Sequence, residues 1–262
     1  MVARLARVAA NRRYWWLVPL FYLGLIASAE LLIAFAPSSA GMVLHCVVLS
    51  ALLWHAAWAA HRKDRALLAC LALAPIMRIV GLWLSFPEIC LSHQYLLASL
   101  PLFAAAWVTA RMLGYSRGAL GLALRGLPIQ MAVGLTGVIV GTLDYFILQP
   151  PPLANPLTWL DVWQPALILM VCSGLLEELI FRGLLLHAAM SRLGAWGLLY
   201  SSLLFATMQT GCRYPAHLFF AFVAGMVWAW VVRRTGSLLG VALAHGLTNV
   251  VALLIMPSLL AS

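Results

Sequence analysis

Long apolar runs recur along the whole chain, and they restrict its fold more than any other feature. A helix needs about 20 apolar residues to cross the hydrocarbon of a bilayer. Runs of that kind fall at residues 14–36, 41–60, 66–86, 95–110, 128–148, 165–187, 195–208, 216–232 and 238–256. Hydrophobic residues make up 65% of the 262-residue chain and charged residues 9%, against about a quarter charged in soluble domains. So little charge cannot cover a water-facing surface, so lipid is the expected solvent. In lipid each backbone N–H and C=O must be satisfied internally, which selects helices for these runs. The expected fold is all-α: a polytopic transmembrane bundle of about eight or nine spans.

The net charge of +9 does not point to nucleic acid, because the cations lie between apolar runs and form no basic groove. Arg4, Arg7, Arg12, Arg13, Arg62, Lys63, Arg65, Arg111, Arg117, Arg125, Arg192, Arg233 and Arg234 all fall on one side of an alternating topology. Arg213, Glu88 and Asp161 fall on the other. The positive-inside rule then puts the N-terminus in the cytoplasm, and a prokaryotic cytoplasmic membrane fits best. Ala27-Ser28-Ala29 resembles a signal-peptide cleavage site, but the apolar run continues past it, so an uncleaved helix is expected. The five cysteines match no zinc spacing, and their odd number fits no disulfide framework, although Cys90 and Cys212 share the outer side.

No internal repeat is visible. Gln149-Pro150-Pro151-Pro152 reads as a stiff turn. It separates helices without a readable signature (residues 1–148) from a motif-bearing core (165–255). Gly134, Gly137, Gly141, Gly236 and Gly240 are expected to let helices approach closely. The tryptophans, Trp15, Trp16, Trp159, Trp163, Trp196 and Trp228 among them, are expected in interfacial belts.

Ionisable residues within spans are costly and therefore informative. The sixth run holds Glu177, Glu178 and Arg182. Glu178 and Arg182 are four apart, with the acid N-terminal, so they share a helix face and neutralise each other. Glu177 is turned about 100° away and needs another partner, water or a proton. A desolvated carboxyl with access to water is a candidate general base. The last run holds His245 and Asn249, again four apart; together they can hold water or donate to an oxyanion. Alone, that pair is as consistent with hydrogen-bonded helix packing.

These residues, in this order, resemble the CAAX-protease and bacteriocin-processing family of intramembrane glutamic endopeptidases. The family pattern is Glu-Glu-x-x-x-Arg, then Phe-x-x-x-His, then His-x-x-x-Asn or Asp, on separate membrane helices. Here it appears as Glu177, Glu178 and Arg182, then Phe205-Ala-Thr-Met-Gln209, then His245 and Asn249. Ala224-Gly225 and Arg234-Thr235-Gly236-Ser237-Leu238 also look like the family's text before its last motif. The resemblance covers about residues 165–255. It implies that Glu177 activates the attacking water, that Glu178, Arg182 and Phe205 support the site, and that His245 and Asn249 form the oxyanion hole. The expected partners are the lipid bilayer and a membrane protein or peptide substrate. No sequence feature specifies an oligomeric state.

One position departs from the pattern. Gln209 stands where the second motif has His. An amide holds water and donates N–H groups, but it does not exchange a proton near neutral pH. Two readings follow: a working peptidase with Glu177, Gln209, His245 and Asn249 as its catalytic set, or an impaired member acting as a membrane adaptor or immunity protein. Without that His, only His245 and Glu177 remain as strong zinc ligands, where a catalytic zinc wants about three; no metal or cofactor is expected. His217 is not expected to compensate, because Pro215 reads as an interruption of any helix that would bring it round. Arg78 and Asp144 are expected to pair with each other, and Glu30 to sit near the outer interface. His45 and His55 are expected to be hydrogen-bonded packing residues. Cys172, five residues before Glu177, is expected to face elsewhere. A transporter reading lacks inverted repeats and paired broken helices.

Overall fold

The computed structural model describes residues 16–85, 91–151 and 159–260, with only the backbone described for Leu91, Trp159, Leu160 and Asp161. Arg4, Arg7, Arg12, Arg13, Trp15, Glu88 and Cys90 lie outside the described residues, as do the side chains of Trp159 and Asp161. Cys46, Cys70, Cys172 and Cys212 are free thiols.

Each of the nine apolar runs is helical within the described residues. The helices are α1 (Leu17–Phe35), α2 (Ser38–Trp58), α3 (Arg62–Trp83) and α4 (Leu91–Leu113). Then come α5 (Leu127–Leu148), α6 (residues 159–193), α7 (Trp196–Met208), α8 (Pro215–Thr235) and α9 (Leu239–Leu260). Seven of these helices are long and apolar enough to cross a membrane. The other two are α6, which is broken by π-helical turns, and α7, which has 13 residues. The α-helix of α7 stops at Met208; Gln209 caps it and Thr210–Cys212 form a 3₁₀ turn. Ala27-Ser28-Ala29 lies inside α1, with Ala29 fully buried.

The basic turns gather at one end of the bundle. Arg62 at the start of α3 donates to the Leu113 carbonyl at the end of α4 (3.1 Å). Arg192, at the end of α6, pairs with Asp64 in the first turn of α3. Gly236 is not a helix-contact glycine. It ends α8 with φ +68°, a left-handed conformation that Gly adopts without steric cost.

The other glycines do set helix spacing. On α5, Gly134, Gly137 and Gly141 face Leu243, Ala244 and Thr248 of α9, and Gly240 of α9 faces Gln130. A Cβ on Gly141 would sit 2.6 Å from the Thr248 carbonyl oxygen, a separation that forces the backbones apart. This stripe ties α5 to the helix that carries His245 and Asn249.

One expectation about buried charge is corrected. Arg78 does not pair with Asp144. Helix α2 packs on both α1 and α3, and Arg78 of α3 turns to Glu30 of α1, with Nε–Oε1 and Nη2–Oε2 both 2.7 Å. It also donates to the Met208 carbonyl at 2.5 Å. Glu30 is fully buried within the bundle, with His45 at 3.2 Å on its other side. Asp144 lies instead against α8, where it meets His217. His55 contacts the Tyr22 hydroxyl at 3.2 Å, the hydrogen-bonded packing role expected of it, whereas His45 meets Glu30 with neither ring nitrogen in a hydrogen bond.

Candidate active site

The acidic pair occupies a short α-helical step, Leu176–Glu178, between two π-helical turns, Leu169–Leu175 and Leu179–Leu185. Such wide turns re-aim side chains and recur at functional sites. Glu178 points to the protein interior and is fully buried. Arg182 Nη1 donates to its Oε1 at 2.8 Å, the predicted one-turn pair. The guanidinium lies over the Phe205 ring, 4.2 Å from its centroid, and 5.5 Å from that of Trp228. Phe205 supports the site through this cation–π contact. It also meets His245 edge-on at 5.8 Å.

His245 Nδ1 lies 2.9 Å from the same Glu178 oxygen. A carboxylate only accepts, so Nδ1 carries the proton of that bond and the carboxylate fixes the ring. The other nitrogen, Nε2, is then turned toward Glu177, 4.0 Å from its Oε2. Trp228 covers the ring at 5.0 Å between centroids. Trp228 is only 5% exposed. It belongs to the site and not to an interfacial belt, unlike the exposed Trp16, Trp163 and Trp196.

Glu177 finds the partner that its position requires, and sequence reasoning missed it. Ser173 Oγ donates to Glu177 Oε1 at 3.0 Å, and Asn249 Nδ2 donates to Ser173 Oγ at 2.7 Å. Ser173 is one turn before Glu177, a spacing that was visible in the sequence. The chain Asn249–Ser173–Glu177 and the bond His245–Glu178 lock α6 to α9.

That lock needs a very close approach of the two backbones. A Cβ on Gly174 would sit 2.7 Å from both N and Cα of Gly246. Gly174→Val is therefore expected to destabilise the protein by about 1–3 kcal/mol through overpacking and to lower its thermal midpoint in detergent. A midpoint equal to that of the parent would contradict this packing.

The carboxylate of Glu177 keeps access to space. Its side chain is 20% exposed. It lines a cavity of about 240 Å³ together with Gln209, Arg78, Tyr95, Ser99 and Cys172. One water needs about 10–15 Å³ on this measure, so several fit. Cys172 was expected to face elsewhere. Five residues span about 140° of rotation in a regular α-helix, but a π-helical turn brings positions five apart back into line. Its thiol contacts Ser99 Oγ at 3.2 Å.

A second, smaller cavity of about 60 Å³ shares one lining residue, Gln209, with the first. His245, Asn249, Asp144 and His217 line it as well. No helix runs from Gln209 through Pro215 to His217, as expected: α7 ends at Met208, and Pro215 begins α8. It occupies the first turn of α8, where its missing N–H has no intrahelical partner to lose. This start turns His217 inward, contrary to expectation. The structure therefore brings Glu177, Gln209, His245 and Asn249 to two cavities that share Gln209 as lining, with Glu178, Arg182 and Phe205 packed beside them. Sequence reasoning missed Ser173, Trp228 and His217.

Comparison with known proteins bears on the same segment. No curated protein and no solved structure matched the chain. Residues 159–251 match the family model described as type II CAAX prenyl endopeptidase Rce1-like. That segment runs from the start of α6 into α9 and includes all three motifs. Within this helical membrane bundle, residues 159–251 are thus similar to the Rce1-like type II CAAX prenyl endopeptidases.

Proposed function

We propose that this protein is an intramembrane endopeptidase in which Glu177 activates water to hydrolyse a peptide bond of a membrane-associated protein or peptide. One observation carries the reading: Glu177, hydrogen-bonded by Ser173 and 4.0 Å from His245 Nε2, opens onto a cavity with room for water inside the helical bundle. An acid at that depth costs about 2.5–3.5 kcal/mol to insert, and packing alone gives no return for keeping it beside water.

The chemistry follows from the contacts. The Glu177 carboxylate takes a proton from water as the water oxygen attacks the carbonyl carbon. The developing oxyanion needs donors aimed at it. His245 Nε2, Asn249 Nδ2 and the Gln209 amide are the candidates around the two cavities. With His245 as imidazolium, the charges of Glu177, Glu178, Arg182 and His245 sum to zero, so the protonated ring fits the cluster without leaving a net charge in lipid. Glu178 and Arg182 position His245. We take the arginine-rich end of the bundle to be cytoplasmic.

Asn249→Leu tests the oxyanion role. It is expected to lower the cleavage rate by about 10²–10³-fold. The Glu178–Arg182 pair is untouched by the change, so the thermal midpoint should shift far less than in Arg182→Ala. A rate within a few-fold of the parent would remove Asn249 from the mechanism.

Gln209 favours a second reading, in which the cavity binds a membrane protein's tail without cutting it. Gln209→His separates the two. Cleavage that appears only in the variant supports the adaptor; cleavage by the parent protein rules it out.

A further inference from the structure

Asp144 and His217 form a buried ionisable pair that the steps above leave unused. His217 Nδ1 lies 2.9 Å from Asp144 Oδ1, and the two residues are 7% and 8% exposed. They come from α8 and α5, so the pair also bridges two helices. Asp144 fixes the ring as a carboxylate fixes a catalytic imidazole: Nδ1–H donates to it, and Nε2 remains for exchange. The Cys212 thiol, on the turn after Gln209, lies near enough to the ring to influence it electrostatically. A thiol is a weak donor and a weak acceptor, so water or substrate can displace it.

The location gives the pair its meaning. His217 shares its cavity with Gln209, His245 and Asn249, and Gln209 also lines the cavity beside Glu177. A protonatable group thus stands across Gln209 from the base, while Gln209 itself cannot carry a proton. Peptide hydrolysis needs one, because an amide nitrogen leaves as an amine only when protonated.

From this arrangement we infer that His217, oriented by Asp144, is the proton donor to the leaving amine. The inference rests on the peptidase reading and replaces a single carboxyl acting as both base and acid. Water gives one proton to the Glu177 carboxylate as its oxygen bonds to the carbonyl carbon. The C–N bond then breaks, and the nitrogen takes a proton from Nε2 of the His217 imidazolium. The proton on Glu177 returns to His217 by exchange with water once the products leave. The balance is one amide and one water in, one carboxylic acid and one amine out, with both side chains restored.

The test uses the full chain in its native membranes, with new protein termini mapped by mass spectrometry, so the substrate need not be known beforehand. Cuts present with the parent protein and absent with Glu177→Gln define the activity. His217→Gln is expected to reduce those cuts by about 10²-fold, with protein level and thermal midpoint retained. Asp144→Asn is expected to give an intermediate loss. Adding Gln209→His to His217→Gln is expected to restore cutting, because it returns an imidazole to the shared wall of the two cavities. A purely structural role for His217 would not be rescued in this way. Cys212→Ala is expected to keep the cuts.

Cuts that persist in His217→Gln overturn the proposal and leave the peptidase reading intact. So does a loss that Gln209→His fails to restore. Loss of the cuts in Cys212→Ala overturns it as well, since the pair would then serve a thiol. Cuts that survive Glu177→Gln remove the peptidase reading itself.

Discussion

Arg182→Ala is expected to destabilise the protein by about 3–5 kcal/mol, the cost of leaving a buried charge without its partner. Glu178 is fully buried, and Arg182 Nη1 lies 2.8 Å from its Oε1. The guanidinium also fills the space against Phe205 and Trp228, so truncation removes a packing group along with the charge. The double variant Arg182→Leu/Glu178→Gln is expected to recover much of the loss, because it leaves no unpaired charge in the interior. Thermal or denaturant unfolding in detergent checks both. Arg182→Ala with the stability of the parent would mean that the pair is not buried as described.

Glu177→Gln is expected to behave in the opposite way. The amide keeps the size of the side chain and can still accept from Ser173, so the fold should be retained. Loss of the general base is expected to lower cleavage by about 10⁴-fold, the upper end for proton transfer by one side chain. The two acids are thus separable. A charge change at Glu178 is read chiefly in stability, and one at Glu177 chiefly in rate. Measuring the cleavage rate beside the melting curve of the same preparation distinguishes them.

Much of the fold was legible because lipid leaves few options. A run of apolar residues that cannot expose its backbone must be helical, and each of the nine runs is helical within the described residues. The local part of the site was legible for a related reason. Glu178 with Arg182, and His245 with Asn249, are spaced one turn apart, and helical geometry fixes what such spacing means.

The partners across helices were not legible. Both lipid and protein interior are apolar, so sequence periodicity does not say which face of a membrane helix is buried. Arg78 and Asp144 looked like a charge pair because nothing else in the sequence matched them. Packing gave Arg78 to Glu30 and Asp144 to His217. Trp228 looked like a belt residue because aromatic identity does not encode depth, yet it stacks on His245.

Backbone geometry hid the rest. Cys172 and Glu177 share a cavity only because a π-helical turn lies between them, and no residue type announces such a turn. Pro215 marks the break between α7 and α8 as read, but as the first residue of α8 it also sets the turn that carries His217 to the second cavity. Gly174 and Gly246 set the contact between α6 and α9, although each looked like an ordinary membrane glycine.

Central to all of this is a water-activating carboxylate inside the bundle. Its most direct test is the mapping of new protein termini in membranes that carry either the parent chain or Glu177→Gln at equal abundance. The account predicts a small set of cuts in membrane-associated proteins that the parent makes and the variant does not. Identical sets of termini, with both proteins folded and present, would contradict it.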